Sequence, residues 1–271
     1  MSNNIFFERG QMADKPNNYL WNGDCLELMK DIPDKSMDAI ICDLPYGTTA
    51  CKWDSVIPFE PLWEQYKRII KDNGAIVLFG SQPFTSALIS SNTEMFKYEW
   101  IWEKPKSTGH ALSKIQPMKA HENIIVFGIC KIKYTPQLTK GEAYKGRNRT
   151  DYKESKEFST GQGNRNNNTG FRYPKSVQKF KNTQYVDKQV HPTQKPLPLL
   201  KYLVKTYTDE NDWVLDNTCG SNTTGIACYD LNRNYIGIEK DVDIYEVAKK
   251  RVEKNILLRA NQQQTLFKEK P

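Results

Sequence analysis

Trp213-Val214-Leu215-Asp216-Asn217-Thr218-Cys219-Gly220-Ser221-Asn222-Thr223-Thr224-Gly225 is the stretch whose reading decides the fold. The apolar run Trp213 to Leu215 predicts a strand, and the small-residue run from Thr223 predicts a helix to Leu231. Between them stand an acid and a tight glycine turn. A strand, a glycine turn and a helix N-terminus make a nucleotide cradle, because free backbone N–H groups point at the ligand. Taken alone, a Gly-Ser-Asn turn also fits a plain strand-to-helix connection. A second apolar strand, Tyr235 to Ile238, follows about 20 residues on and ends in Glu239, as a ribose-binding acid would.

Far upstream, Asp43-Leu44-Pro45-Tyr46 follows the predicted strand Met37 to Cys42. It puts a carboxylate, a rigid turn and an aromatic face at that strand's carboxyl end. Pro-Tyr after a strand is commonly only a turn. An acid at the end of a central parallel strand is less neutral, because ligands bind along that edge. Asn22-Gly23-Asp24 closes a further short apolar run, Tyr19-Leu20-Trp21, and adds another acid on the same expected edge.

The rest of the chain alternates apolar runs with helix-like stretches. Helices are predicted over Pro58 to Lys71, stopped by Asp72-Asn73-Gly74, and over Pro83 to Ser90, Leu197 to Tyr207 and Val242 to Ile256. Strands are predicted over Ala75 to Phe79, Tyr98 to Trp102 and Asn123 to Phe127. Such alternation implies a mainly parallel sheet covered on both faces. The rhythm fails from Lys131 to Val190. There Gly161 to Gly170 is poor in apolar residues, and aromatic residues (Tyr134, Tyr144, Phe171, Tyr173, Phe180) are interleaved with basic ones.

At 271 residues the chain is long enough for one large α/β domain with an insertion. No apolar stretch approaches a membrane span, and Met1 to Asp14 lacks an apolar signal core. The six cysteines show no C-x-x-C pair and no zinc-like spacing with the three histidines, so they read as reduced thiols of a cytoplasmic protein that holds no metal. The net charge of +7 is uneven: residues 131–188 carry 14 basic and 5 acidic side chains, and the remainder 25 basic against 27 acidic. A basic segment on a near-neutral body is the footprint expected of phosphate-backbone binding, although a solvated lysine surface looks the same by charge alone.

Together these strings resemble the amino-methyltransferases of DNA bases, and more narrowly their circularly permuted β group. In that group the Asp-Pro-Pro-Tyr motif precedes the cofactor motif. Asn22 to Leu26, Ile32 to Asp38, Asp43 to Tyr46, Trp102-Glu103-Lys104, His121 to Phe127, Arg172 to Val177, His191-Pro192-Thr193-Gln194-Lys195-Pro196 and Asp216 to Gly225 carry the resemblance. Leu44 stands where the family usually has proline, Asn217-Thr218 where it has Pro-Phe, and Asn222 where it has a second glycine. Asn tolerates left-handed backbone angles better than most residues.

The resemblance implies a Rossmann-like methyltransferase fold: a mainly parallel, twisted, seven-stranded sheet with an inserted irregular target-recognition region. The catalytic half would span 15–130, the insertion 131–190 and the cofactor half 191–260. It implies S-adenosylmethionine as cofactor and double-stranded DNA as partner. A homodimer is one state it allows, since relatives often dimerise. Asp43, Leu44, Pro45 and Tyr46 would be catalytic, the Asp43 side chain and the Leu44 carbonyl accepting the two N–H bonds of a base amine. Tyr46 would stack on a flipped-out base, with Phe84 or Trp53 as a second wall.

On the cofactor, Asp216, Thr218, Gly220, Ser221, Asn222 and Thr223 would form the turn, with Thr193 and Lys195 at the methionine end. Glu239 would take the ribose, Asp24 and Cys25 would lie by the adenine, and Asp43 would line the same site. Lys133, Lys145, Arg147, Arg149, Arg165, Arg172, Lys175 and Lys179 would meet DNA. His191 and His121-Glu122 read as structural turns. Aspartate as the first catalytic residue favours adenine N6 over cytosine N4. A catalytically silent DNA-binding relative and an RNA substrate are the other readings, whereas C5 methylation lacks its Pro-Cys nucleophile.

Overall fold

A computed structural model describes residues 18–47, 55–143, 170–181 and 194–268, with side chains to 255. Ten strands are present among them: β1 (Asn18–Asn22), β2 (Met37–Cys42), β3 (Ile70–Gly80), β4 (Phe96–Thr108), β5 (Lys119–Phe127), β6 (Thr139–Lys140), β7 (Phe171–Arg172), β8 (Val177–Lys179), β9 (Trp213–Asp216) and β10 (Asn234–Glu239). The helices are α1 (Cys25–Leu28), α2 (Phe59–Ile69), α3 (Phe84–Ser91), α4 (Leu197–Tyr207), α5 (Thr223–Asp230) and α6 (Val242–Lys268). None of the described helices is long and apolar enough to cross a membrane.

Eight strands form one sheet in the order β1-β10-β9-β2-β3-β5-β4-β8. Neighbours pair in parallel except for β5, which runs antiparallel to β3 and β4. This is the Rossmann-like methyltransferase architecture, with the strand before the glycine turn (β9) later in the chain than its neighbour β2. The eighth strand is an addition to the expected seven. Only three residues long, Val177–Lys179 has no periodicity a sequence could betray; it is held by pairing with Ile101 to Glu103, and the Ile101 N–H donates to the Ser176 carbonyl at 2.8 Å.

Period-2 alternation sorts β2 between two cores, with Ile40 facing one and Ile41 the other. The first core packs α1, α2 and α3 through Cys25, Leu62, Trp63, Tyr66 and Leu88; the second packs α4 and α5 through Leu199, Leu203, Tyr207 and Ala227. Buried Leu62, Trp63, Tyr66 and Ile69 give α2 its inner face. This helix ends at Ile69, two residues before the expected Lys71. Ile70 turns extended, pairs with Met37 and starts β3, which runs through that polar triplet. Lys71 there pairs with Asp38 at 2.7 Å. The ladder with β2 skips from Ile70 to Ala75, so the triplet is an irregularity in the strand whose Asp72 and Asn73 carbonyls accept from the Cys130 and Lys133 N–H groups.

A second compact unit, Pro136–Lys175, contains the two-stranded ladder β6–β7. Most of the Gly161 to Gly170 stretch lies outside the described residues.

Candidate active site

Because β1, β10, β9 and β2 are parallel, their carboxyl ends share one rim. The Asn22 side-chain amide and the Gly23 N–H both donate to the Glu239 carbonyl, at 2.8 and 3.0 Å. The Cys219 N–H donates to the Ile238 carbonyl at 3.0 Å, and the Gly220 N–H to Glu239 Oε2 at 2.9 Å. From the other side, Thr218 Oγ1 donates to the Asp43 carbonyl at 3.1 Å. The upstream acid string and the downstream glycine turn, 175 residues apart, are therefore in direct contact.

The turn is built for its odd residues. Gly220 has φ +52°, and a Cβ there would meet nothing within 4 Å, so its outer face is open to a ligand. Asn222 also adopts left-handed angles, φ 61° and ψ 44°, and its Oδ1 accepts the Gly225 N–H at 3.1 Å as the N-cap of α5. The asparagine in the glycine position thus supplies a cap that glycine would lack. Arg251 of α6 reaches across to the Ser221 carbonyl (2.7 Å), Ser221 Oγ (3.2 Å) and Thr223 Oγ1 (2.9 Å). The buried side chains of Ser221, Asn222 and Thr223 shape the turn from within.

Asn217, in the family's proline position, accepts hydrogen bonds from the Tyr66 hydroxyl (2.6 Å) and the Cys42 thiol (2.8 Å) beneath the rim. Thr218 replaces the usual Phe and supplies the hydroxyl that reaches Asp43. Asp216 is 3 % exposed. Burial pushes its carboxyl up to about 7, with Asp43 and Glu239 adding repulsion. Burial also raises Glu239, against the N–H groups of Asp241 and Gly220. Asp24 caps α1 through the Leu26 N–H at 2.9 Å and meets Lys240 at 3.0 Å. Partial burial would raise this carboxyl, but Lys240 and the backbone outweigh it and leave it lowered. Cys25 is buried beside it, its thiol pushed up by burial.

Asp43 has both oxygens engaged: the Tyr46 hydroxyl donates to Oδ1 at 2.7 Å, and the Lys195 ammonium to Oδ2 at 2.5 Å. Burial would lower the Lys195 ammonium, but Asp43 and Glu122 outweigh it and hold it raised. Lys195 also lies 5.1 Å over the Phe79 ring and 5.9 Å over Tyr46. The Leu44 side chain is buried in the core, so packing anchors the turn where the family uses proline. Phe84 sits 5.0 Å from the Tyr46 ring, tilted by 32°. It backs that ring directly and leaves no room for a base between them, which removes it as a second wall. Trp53, Thr193 and His191 lie outside the described residues.

Glu122 corrects the turn expected at His121-Glu122. It is a residue of β5, its side chain 12 % exposed, paired with Lys104 through Oε1 and 3.2 Å from Lys195 through Oε2. Its sequence signals were an acid ahead of an apolar run and its place in the His121 to Phe127 string that carries the family resemblance.

Of the expected DNA contacts, Arg172 and Lys175 are exposed, the former donating to the Glu142 carbonyl at 3.0 Å. Lys179 pairs with Glu103 at 2.8 Å, and Lys133 is held between Asp209 and Asp212 at 2.5 and 2.8 Å. Lys145, Arg147, Arg149 and Arg165 lie outside the described residues. The described residues contain no metal-binding cluster, and their cysteines are free.

Residues 37–250 match the N6/N4 methylase family model, described as DNA methylase. The chain belongs to this family. Among the relatives of this methylase, the type II methyltransferase M2.MboI of Moraxella bovis is 28% identical over 264 residues, 88% of this chain and 89% of that protein. M.HindIII of Haemophilus influenzae is 48% identical over 71 residues, 26% of this chain and 23% of that protein. The M1.HpyAVI–SAM complex superposes with a TM-score of 0.60 at 25% identity, covering 87% of this chain and 98% of that one. The cytosine-N4-specific PvuII methyltransferase gives 0.63 at 15% identity over 88% and 89%, a likeness of fold alone.

Proposed function

We propose that this methylase moves the methyl group of S-adenosylmethionine onto the N6 amino group of adenine in double-stranded DNA, with the target base turned out of the helix. It would act in the cytoplasm as a type II modification enzyme. The contact between Thr218 and the Asp43 carbonyl carries this reading, since it joins an amine acceptor to a nucleotide cradle.

The residues fit the cofactor. Asp43 and Glu239 both repel the buried Asp216 carboxylate, and a ligand bearing ammonium and sulfonium charge relieves that repulsion. Asp216 with the open face of Gly220 would hold the methionine end, Glu239 the ribose hydroxyls, and Asp24 with Cys25 the adenine. When bound, the cofactor supplies a methyl group already activated by positive sulfur.

The chain's own residues do the rest. The N6 lone pair is delocalised into the ring, so the amine is a poor nucleophile. Asp43 and the Leu44 carbonyl each accept one N–H, which draws the nitrogen toward tetrahedral geometry and localises its lone pair. The Asp43 carboxylate stabilises the positive charge that develops on nitrogen. Tyr46 stacks on the base, because a paired adenine hides this nitrogen within the duplex. Aspartate at position 43 favours adenine over cytosine.

The test is mass spectrometry of nucleosides from unmethylated DNA incubated with the protein and labelled cofactor. N6-methyladenine is expected. N4-methylcytosine would reassign the base, and no label would refute transfer.

A further inference from the structure

Tyr46 and Lys195 already donate to the two Asp43 oxygens, so an amine that takes Oδ2 competes with the Lys195 ammonium for it. The Lys195 side chain is 12 % exposed. An ammonium buried to that degree leaves its partner only for another anion, since an unpaired buried charge costs several kcal/mol. One such anion stands beside it. Glu122 Oε2 lies 3.2 Å from Lys195 Nζ, in ion-pair range but farther than the 2.5 Å that separates the ammonium from Asp43 Oδ2. The other oxygen, Oε1, is pinned by Lys104 of β4, so the carboxylate cannot turn away. Phe79 lies under the ammonium and Tyr46 beside it, which confines its movement between the two acids.

We propose that Glu122 is a positioning residue: it receives the Lys195 ammonium when the substrate amine takes Oδ2 of Asp43. Lys195 thereby neutralises the Asp43 carboxylate at rest and exposes it when the base arrives, without leaving a carboxylate or an ammonium unpaired. The inference rests on the proposed role of Asp43 as amine acceptor.

Two variants of the full chain test it. Glu122→Gln keeps the shape and loses the charge; Glu122→Asp keeps the charge and shortens the arm. The readouts are the initial rate of labelled methyl incorporation into unmethylated genomic DNA at saturating cofactor, and cofactor Kd by calorimetry. Glu122→Gln should lower the rate about tenfold or more, the equivalent of at least ~1.4 kcal/mol, with Kd changed less than about twofold. Glu122→Asp should recover most of the rate. A packing role predicts the reverse order, since Gln is the better steric match. The inference is overturned by Gln at wild-type rate, by Asp slower than Gln, or by loss of cofactor binding in both. If wild-type protein transfers nothing, or Asp43→Ala still transfers, the reading beneath it fails instead.

Discussion

Titrating the methylase with S-adenosylmethionine at pH 8 and again at pH 6 perturbs the ionisation of Asp216. Its carboxyl is buried between two other acids and titrates at about 7, so about nine-tenths is ionised at pH 8 and about one-tenth at pH 6. A ligand whose ammonium needs the carboxylate should therefore bind about tenfold more weakly at pH 6, about 1.4 kcal/mol. Asp24, lowered by Lys240 and the backbone against the effect of burial, stays ionised across that range. The sign for stability is opposite. A raised folded-state pKa contributes stability that is complete below the ordinary aspartate range and lost as pH climbs through about 7. The free protein should thus lose melting temperature between pH 4 and 8, and saturating cofactor should restore it. Asp216→Asn should bind weakly at both pH values with a flat profile. Equal affinity at pH 6 and 8 in the wild type, or an unchanged slope in Asp216→Asn, would refute the assignment of Asp216 to the cofactor's cation.

Gly225→Ala should lower the melting temperature by several degrees, because its Cβ would fall 2.3 Å from Asn222 Oδ1 and 2.7 Å from Tyr235 Cε1; a neutral melt would mean the cap is not tight. Restoring the family residue with Asn217→Pro should destabilise this chain by about 1–3 kcal/mol in denaturant titrations, since the buried Tyr66 hydroxyl loses its 2.6 Å acceptor and keeps only the weaker Cys42 Sγ at 3.8 Å. Equal or higher stability would show that another group satisfies it. Replacing exposed Arg172 and Lys175 by Ala should weaken DNA binding across sequences and flatten its salt dependence by about 0.9 in log–log slope for each phosphate no longer neutralised. An unaltered slope would remove them from the DNA surface.

What the sequence discloses follows from which interactions are local. Met37–Cys42 and Leu197–Tyr207 have the expected bounds, because one is a continuous apolar run and the other starts after Pro196. The rim acids were legible for the same reason: Asp216 and Glu239 end their strands, Asp43 follows β2 directly and Asp24 lies two residues past β1. The end of α2 was not, because Ile70 extends to pair with Met37, which lies 33 residues upstream. Val177–Lys179 becomes a strand only against β4. Remote partnership also hid Arg251, which braces the glycine turn from the last helix, and Tyr66, which reaches Asn217 over 151 residues. Glu122 was misread for that cause: only the lysines of β4 and of the segment before α4 turn a plain acid into part of the site.

If one carboxylate, at Asp43, serves the amine while the neighbouring turn serves the cofactor, the two functions should come apart in a single variant. Asp43→Ala, assayed in parallel for labelled methyl incorporation into DNA and for calorimetric cofactor binding, separates them. Transfer should fall by several orders of magnitude, with cofactor Kd within about threefold of wild type. Transfer persisting at a rate near wild type would contradict this division of labour, as would transfer and binding lost together with the fold.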